Sequence, residues 1–340
     1  MTQRIDTEVF FFNAETDYLP YYKRFALTMP LEATTRELLA QVAERHHAFA
    51  YPETRLVFRI NDTVCTGQER LSDVVERFGT ELRIEPVQAY RSTHCLIIND
   101  DDFSQAYETL APFCDEDDKA YFDSLYALHY ASATSEFDKN YRGDAIIALA
   151  DRLIRKLPDQ ADAIYRSVRD TVMACEYENR LFDPYDLQPA LEALRAYEPQ
   201  KTGLLTKLAS RFPTREERVV VPTIDLSETH AALYLGAVDA TDITALWEQT
   251  SLYPIAFGKA TRRNGRTIVH NVPHLAYAKA ATILLDALDS GAEVLVCADE
   301  ADARYFIAHR RAIEKAAGRE IPLRITSLSA VCRHDNADAA

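Results

Sequence analysis

Apolar and polar positions in the first hundred residues predict short strands around one helix. Residues 8–13 (EVFFFN) and 22–29 (YKRFALTM) are strand-like runs, separated by a loop-like stretch that contains Asp and Pro. Residues 34–49 switch to helical period, and Thr34 with Glu37 has the spacing of a capping box. Further strand-like runs follow at 55–60, 82–87 and 95–99. Two strands, a helix and then more strands is the order of a β-grasp domain.

The rest of the chain changes pattern twice. Helical period predicts helices over 103–113, 120–131, 141–156, 159–174 and 187–197, and the basic amphipathic stretch 201–218 is expected to link to the last part. From residue 219 the order becomes strand, helix, strand, helix. Strands are predicted over 219–224, 231–236, 253–258, 293–297 and 322–327, and helices over 241–250, 273–290 and 301–317. Alternation of this kind predicts a mostly parallel sheet flanked by helices.

These patterns predict a multidomain protein of mixed α+β and α/β class. The expected parts are a β-grasp ferredoxin-like domain over 1–101, a helical domain over 102–218 and an α/β domain over 219–332. Residues 333–340 are expected to form a disordered tail. No coiled-coil heptads or symmetric patch define an oligomeric state.

Composition and charge argue against several classes of function. The chain has 340 residues, 53 acidic and 38 basic side chains and a formal net charge of −15, so binding to nucleic acid is disfavoured. No apolar run approaches the roughly 20 residues that span a bilayer, and no signal-peptide pattern is present, so no direct membrane insertion is expected. The six cysteines are widely scattered, which predicts a reducing, cytoplasmic location rather than a disulfide framework.

Candidate chemistry lies where the predicted C-terminal strands end, because ligands of open parallel sheets sit outside the carboxyl ends of the strands. Cys297 ends one strand and is a candidate reactive thiol or metal ligand. Gly236 and Gly258 end two others and would let a substrate or cofactor approach the backbone. The alternative for Cys297 is a small apolar residue that ends a buried strand.

A zinc site is one further possibility at the same edge. His270 and His274 have the separation of a helical metal pair, and with Cys297 they would supply three ligands. Pro273 lies between the two histidines, so one shared helix face is not assured. The alternative is a pair of surface histidines at the start of a helix.

Aromatic residues near the first hairpin suggest a surface for a partner. Tyr18, Tyr21, Tyr22 and Phe25 lie close together in sequence, and aromatic residues are enriched at protein interfaces. The same residues could instead cap a small core. Elsewhere, the acidic runs 100–102 and 115–118 precede predicted helices, where negative charge at the helix start explains them without a calcium site.

The first two parts resemble the iron–sulfur subunits of succinate dehydrogenase and fumarate reductase. The segments that carry the resemblance are, in order, FRIND at 58–62, IEPV at 84–87 and LIIND at 96–100 before Phe103. YRGDA at 141–145 is similar to the helical ferredoxin-type domain that follows in such subunits. The resemblance implies a β-grasp ferredoxin-like domain and a helical domain.

The last part resembles one CCG domain of the heterodisulfide reductase family. Leu235-Gly236, the helix over 278–291 and VLVC at 294–297 fall where that family has its strands and helix. The cluster cysteines of these families are mostly absent: residues 49–58 hold none, and the final C-x-x-C pattern is Cys297-Ala-Asp-Glu300. Cluster binding therefore does not carry over, and no cofactor is expected.

Two functional hypotheses follow from this combination. The preferred one is a cofactor-free relative of a respiratory redox subunit that acts as a structural, assembly or regulatory partner of a redox complex. The alternative is an oxidoreductase, or a thiol- or metal-dependent redox protein, that uses Cys297 at the carboxyl edge of the C-terminal sheet. The non-enzymatic hypothesis is favoured by about two to one because nearly every cluster thiol is missing.

Overall fold

The computed structural model describes residues 2–197, 216, 218–224, 226, 229–238 and 255–335, with only the backbone of 332–335. The chain divides into two compact units, Met1–Glu198 and Pro199–Ala340. The first unit contains the sheet expected over 1–101 together with the helices expected after it. Among the described helices, none is long and apolar enough to cross a membrane.

A mixed five-stranded sheet forms the N-terminal part of the first unit. Its strands are β1 (Thr2–Phe11), β2 (Tyr21–Pro30), β3 (Phe58–Ile60), β4 (Thr63–Cys65) and β5 (Glu81–Glu85). They lie in the order β2-β1-β5-β3-β4. β1 is antiparallel to β2 along its whole length and parallel to β5, whereas β3 is antiparallel to both β4 and β5. The predicted strand runs 8–13 and 22–29 are thus parts of one long hairpin.

Helix α1 (Thr35–Arg45) packs on one face of this sheet, and its start is fixed by the capping box that the sequence predicts. The Thr34 side chain accepts a hydrogen bond from the Glu37 backbone N–H, and the Glu37 carboxylate accepts one from the Thr34 N–H at 2.7 Å. These two bonds satisfy backbone donors that a helix start leaves unpaired. Leu38, Leu39 and Val42 are fully buried in the core beneath the sheet. The helix ends four residues before Phe49, which is buried in the same core.

Some short elements of the first unit differ from the prediction. Helix α2 (Leu71–Phe78) and strand β4 were not predicted. In place of the single strand expected over 95–99, the structure has two short antiparallel strands, β6 (Ser92–His94) and β7 (Ile97–Ile98). A β-bulge between Ser92 and His94 interrupts this pair.

The middle of the first unit is helical, as expected. Its α-helices are α3 (Asp101–Glu108), α4 (Glu116–Ser124), α5 (Tyr126–Tyr130), α6 (Ala145–Lys156), α7 (Ala161–Ala174) and α8 (Gln188–Tyr197). Single turns of 3₁₀-helix lie at Ala89–Arg91, Ala111–Phe113, Thr134–Glu136 and Pro158–Gln160. The segment after α7 pairs with the sheet: the Val64 N–H donates to the Arg180 carbonyl at 2.7 Å, and the Phe182 N–H donates to the Val64 carbonyl at 2.9 Å. The helical part and the sheet therefore share one unit.

The described part of the second unit contains an all-parallel three-stranded sheet flanked by helices. The strands β8 (Ala231–Tyr234), β9 (Val294–Cys297) and β10 (Arg324–Ser327) lie in the order β10-β9-β8. The helices are α9 (Pro273–Asp289), α10 (Glu300–Ala317) and α11 (Leu328–Asp335), with a 3₁₀ turn at Arg266–Ile268. Gly318 ends α10 with φ of 70°, a left-handed conformation that favours glycine.

Three predictions for the second unit need correction, and others lie outside the described residues. Residues 219–224 form no strand; Val220 is 86% exposed, and Pro222 lacks the N–H that a strand needs. Of the strand over 253–258, the described residues show only a single bridge between Ile255 and Ala232. Helix α11 covers the start of the expected disordered tail 333–340. The helix over 241–250, the linker 201–218 apart from residues 216 and 218, and residues 336–340 lie outside the described residues.

Candidate functional site

The carboxyl edge of the C-terminal sheet places Cys297 at the end of β9, but its side chain is buried rather than open to a ligand. Its exposed fraction is 0%, and it lies between the paired ends of β8 and β10. Burial, with the nearby charges of Asp302 and Asp299, raises the pKa of the Cys297 thiol well above its ordinary value. The thiolate is the reactive form, so this environment opposes both nucleophilic and metal-binding chemistry at neutral pH.

The two glycines of this edge differ in their surroundings. Gly236 has φ of 60°, and a β-carbon there would lie 3.0 Å from the Asp302 Oδ2 atom. The close approach at Gly236 is therefore made by a carboxylate of the protein itself. Gly258 is exposed, and the next residue, Lys259, donates its backbone N–H to Asp286 Oδ2 at 2.8 Å. The two segments do meet, because the N–H groups of Leu235 and Gly236 donate to the Ala260 carbonyl.

The predicted zinc ligands are not brought together. His270 and His274 are both exposed, whereas Cys297 is fully buried. Within the described ranges, no three His, Cys, Asp or Glu side chains form a group that could hold a metal ion. None of Cys65, Cys95, Cys114, Cys175 and Cys297 forms a disulfide. An iron–sulfur cluster needs about four thiolate ligands at one place, so the described residues do not fit the clusters of the families that the sequence resembles.

Arg266 makes the principal polar contact at this edge and was not predicted from the sequence. Its Nε atom donates to Asp302 Oδ1 at 2.8 Å, and its Nη2 atom donates to Asp299 Oδ2 at 3.2 Å. Asp299 also caps α10 by accepting from the Ala301 N–H. Burial raises the pKa of Asp302, and contacts with Asn264 and Arg266 offset only part of that effect. This arrangement fixes the start of α10 against the sheet edge.

A second, partly buried polar group lies in the helical part of the first unit and centres on Asp102. Its carboxylate accepts hydrogen bonds from the Tyr130 hydroxyl at 2.9 Å and from His129 Nε2 at 3.0 Å, and it pairs with Arg91 Nη1 at 2.8 Å. Burial opposes ionisation of Asp102, but the contacts with His129, Tyr130 and Arg91 outweigh burial and lower its pKa. The prediction that the run 100–102 only favours a helix start therefore omits the main role of Asp102.

The other ring nitrogen of His129 faces the backbone of Gly143. A β-carbon at Gly143 would lie 2.3 Å from His129 Nδ1, and Gly143 has φ of 81°. Next to it, Asp144 Oδ1 accepts hydrogen bonds from Ser132 Oγ at 2.8 Å, Tyr141 OH at 2.7 Å and, more weakly, Cys175 Sγ at 3.7 Å. Burial raises the pKa of Asp144 although these donors lower it. All of these side chains are buried, so the group stabilises the helical part internally.

The turn between β1 and β2 carries the exposed apolar residues of the first unit that lie closest together. We call Tyr18, Leu19, Tyr21 and Tyr22 the aromatic hairpin. Their exposed fractions are 96%, 67%, 41% and 36%, in that order. The preceding turn is ordered by hydrogen bonds from the Asn13 N–H to Asp17 Oδ2 and from the Asp17 N–H to the Asn13 carbonyl, both at 2.8 Å. The hairpin thus presents its apolar side chains from a fixed backbone.

The aromatic rings of this region divide between core and surface. Tyr21 stacks on Phe11 with ring centroids 5.7 Å apart, and Phe25, which is partly buried, stacks on the same ring at 6.2 Å. Tyr22 packs edge-on against Phe10 at 5.8 Å and lies beneath the Arg83 guanidinium. Tyr18 makes no described ring contact and projects into solvent. Of the two predictions made from the sequence, Phe25 fits the core and Tyr18 fits an exposed surface.

Comparisons with known proteins support the fold and assign no activity. No protein-family model matches the chain, and a search of the curated proteins gives no match. The solved structures include a hypothetical protein from Helicobacter pylori whose chain is similar to this one with a TM-score of 0.51 and 16% sequence identity. The match covers 96% of this chain and 70% of the Helicobacter chain. Similarity at this identity shows a shared fold alone.

Proposed function

We propose that this protein is a non-enzymatic, protein-binding partner of a redox complex, which it contacts through the aromatic hairpin. The observation that carries the proposal is the exposure of Tyr18 and Leu19 on an ordered turn and of Tyr21 and Tyr22 at the start of β2. Exposed apolar side chains that lie close together commonly mark interaction sites, and aromatic residues contribute strongly to binding energy. Because Tyr21 and Tyr22 are already packed on Phe11 and Phe10, little side-chain entropy is lost when a partner covers them.

The redox character of the partner rests on the sequence resemblance, and the sheet topology is compatible with it. We infer that the first sheet and α1 form a β-grasp domain. The order β2-β1-β5-β3-β4, the parallel pairing of β1 with β5 and the helix that follows β2 support this assignment. The proposal takes this domain to have kept the surface with which such a domain docks on the rest of its complex.

Affinity capture from the native cell tests this proposal. The chain is compared with a variant that carries Tyr18→Ser, Leu19→Ser and Tyr22→Ser, and with the control Val220→Ser, which changes an exposed apolar residue of the second unit. We expect a component of a redox complex to co-purify with the unchanged chain and the control, and to be lost from the triple variant. The variant Cys297→Ala should keep the association. Equal recovery with the triple variant contradicts the proposal.

The second candidate, a redox protein that uses Cys297, is opposed by the burial of that thiol. A reactive cysteine is partly exposed and has a lowered pKa, whereas burial, with Asp302 and Asp299 close by, raises the pKa of Cys297. Mass-spectrometric mapping after iodoacetamide treatment of the folded protein at neutral pH separates the two functions. We expect the partly exposed Cys114 to be labelled before Cys297. Labelling of Cys297 faster than free cysteine restores the redox function.

A further inference from the structure

We propose that the N-terminal half of β2 binds an extended acidic segment of another protein by strand addition. The proposal rests on the partner-binding function above and names the kind of partner segment. The supporting observations are the position of β2 in the sheet, the direction of its backbone hydrogen-bonding groups and the cations along it.

β2 is an edge strand of the five-stranded sheet, and the pairing register shows which of its groups point outward. Ala26 lies opposite Asp6 of β1. The Asp6 N–H donates to the Thr80 carbonyl, on the side of β1 away from β2. Asp6 and Ala26 are therefore a pair without mutual hydrogen bonds, and the polar backbone groups of Ala26 point away from the sheet. Because this direction alternates along a strand, Tyr22, Arg24 and Thr28 also present their backbone groups outward.

The outer edge of β2 differs along its length. At its middle, Arg45 Nη1 donates to the Ala26 carbonyl at 2.7 Å, so an arginine of α1 already occupies that acceptor. Pro30, which has no N–H, ends the strand on the same outward side. Among the hydrogen bonds described, none is made by another part of the chain to the outward backbone groups of Tyr22 and Arg24. A partner strand therefore has its acceptors and donors at Tyr22 and Arg24, beside the aromatic hairpin.

The opposite edge of the sheet is already paired. Val64 of β4 exchanges backbone hydrogen bonds with Arg180 and Phe182. A strand edge left open is a template for another chain, and proteins normally cover it or place charges on it. In this sheet β4 is covered, and the open half of β2 is flanked by cations.

The charges along the open half indicate the chemistry of the partner. Lys23 and Arg24 project to opposite faces of the sheet, and the Arg24 side chain is 86% exposed although it contacts Glu8 at 3.2 Å. A second copy of this chain that paired over the same residues about a twofold axis would place Lys23 opposite Lys23, which is unfavourable. A segment with adjacent acidic residues instead places one carboxylate near Lys23 and one near Arg24. The occupant that fits is therefore an extended acidic segment of a different protein.

Fluorescence anisotropy with a synthetic peptide tests the proposal on the full chain. The probe is a labelled peptide with two adjacent glutamates flanked by alternating valine and threonine, and its control has lysines in place of the glutamates. We expect saturable binding of the acidic peptide and weaker binding of the basic one. Absence of saturable binding of the acidic peptide overturns the proposal.

Two proline variants locate the binding strand. Arg24→Pro removes an outward-pointing N–H, so it blocks the strand edge without loss of a hydrogen bond to β1. Thr28→Pro makes the same change further along β2, past Ala26, whose carbonyl already accepts a hydrogen bond from Arg45. We expect Arg24→Pro to weaken peptide binding by about tenfold or more, and Thr28→Pro to change it by less than about twofold. Arg24→Gln, which removes only the charge, should lie between them. Equal effects of the two prolines contradict strand addition.

Further measurements keep the test decisive. If Arg24→Pro does not fold, a probe peptide with N-methyl groups on alternate backbone nitrogens should bind about tenfold more weakly than the unmodified one. If the chain dimerises in analytical ultracentrifugation and Arg24→Gln or Arg24→Pro abolishes the dimer, the occupant is a second copy and the proposal is wrong. If the triple hairpin variant loses the partner and Arg24→Pro still captures it fully, the proposed function stands and only strand addition is rejected.

Discussion

At the scale of single residues, Gly143 is a position where any added side chain would meet a buried ring. Its φ of 81° lies in the left-handed region, and a β-carbon would clash with the His129 ring, 2.3 Å from its Nδ1 atom. Gly318 provides a comparison, with φ of 70° and no atom within 4 Å of a β-carbon. Both glycines therefore have a positive φ, which strains any side chain placed there, and they differ in the contact with a buried ring.

The first prediction compares alanine at these two glycines. We expect Gly143→Ala to lower the free energy of unfolding by about 2 to 4 kcal/mol, the sum of left-handed strain and overpacking. Gly318→Ala should cost about 1 kcal/mol from strain alone. Urea denaturation of both variants measures the difference. Equal losses would show that His129 does not pack against Gly143.

Asp102 and Asp144 should respond to pH in opposite directions. The folded pKa of Asp102 is lowered, so its contribution to stability is present above the unfolded value of about 3.9 and is lost as the pH falls through the folded pKa. The folded pKa of Asp144 is raised, so its protonated form stabilises the fold below about 3.9, and this contribution is lost as the pH rises through the folded pKa.

The second prediction measures this contrast with asparagine variants. The stability of the unchanged chain relative to Asp102→Asn should increase with pH, whereas its stability relative to Asp144→Asn should decrease with pH. Denaturant titrations between about pH 2 and pH 7 give both differences. The same sign of pH dependence for the two variants would contradict the description of these two carboxylates.

At the scale of elements, the start of α1 provides the third prediction. Thr34→Ala removes the side-chain acceptor of the capping box and should lower the free energy of unfolding by about 1 kcal/mol. Thr34→Ser keeps a hydroxyl at the same place and should retain most of that stability. Thermal or urea unfolding of the two variants checks the prediction, and equal destabilisation by both would show that the hydroxyl is not what stabilises the helix.

The elements that the sequence predicts are those whose signal is local. The capping spacing of Thr34 and Glu37 and the buried face of α1 are read directly from neighbouring residues, and the structure confirms both. Helix α2 had a usable signal, because Leu71, Val74, Val75 and Phe78 follow helical period, but its eight residues are short for a pattern-based prediction. Residues 219–224 have an apolar strand-like composition, yet in the structure Val220 is exposed.

The polar groups of the candidate sites could not be predicted because they join residues far apart in sequence. Arg266 contacts Asp302, 36 residues further along the chain, and His129 contacts Asp102 across 27 residues. The composition of each segment carries no sign of its partner. The aromatic hairpin could be predicted from sequence because its residues lie close together in the chain, although the division between partly buried Phe25 and exposed Tyr18 required the structure.

At the scale of the whole molecule, we propose contact with a partner rather than chemistry at a thiol. The residues proposed from sequence for chemistry are either buried, as Cys297 is, or exposed, as His270 and His274 are. The aromatic hairpin combines apolar exposure with a fixed backbone and adjoins the open half of β2. The chain shares its fold with the Helicobacter protein at 16% identity, and this similarity assigns no activity.

Site-specific photo-crosslinking in the native cell tests the central claim most directly. A photoreactive amino acid is placed at Tyr18, at Tyr22 or, as a control, at Val220, all of which are exposed. We predict that one defined protein, a component of a redox complex, becomes covalently joined at Tyr18 and Tyr22 and is absent at Val220. Absence of any product at the two hairpin positions, or the same products at all three, would contradict the account.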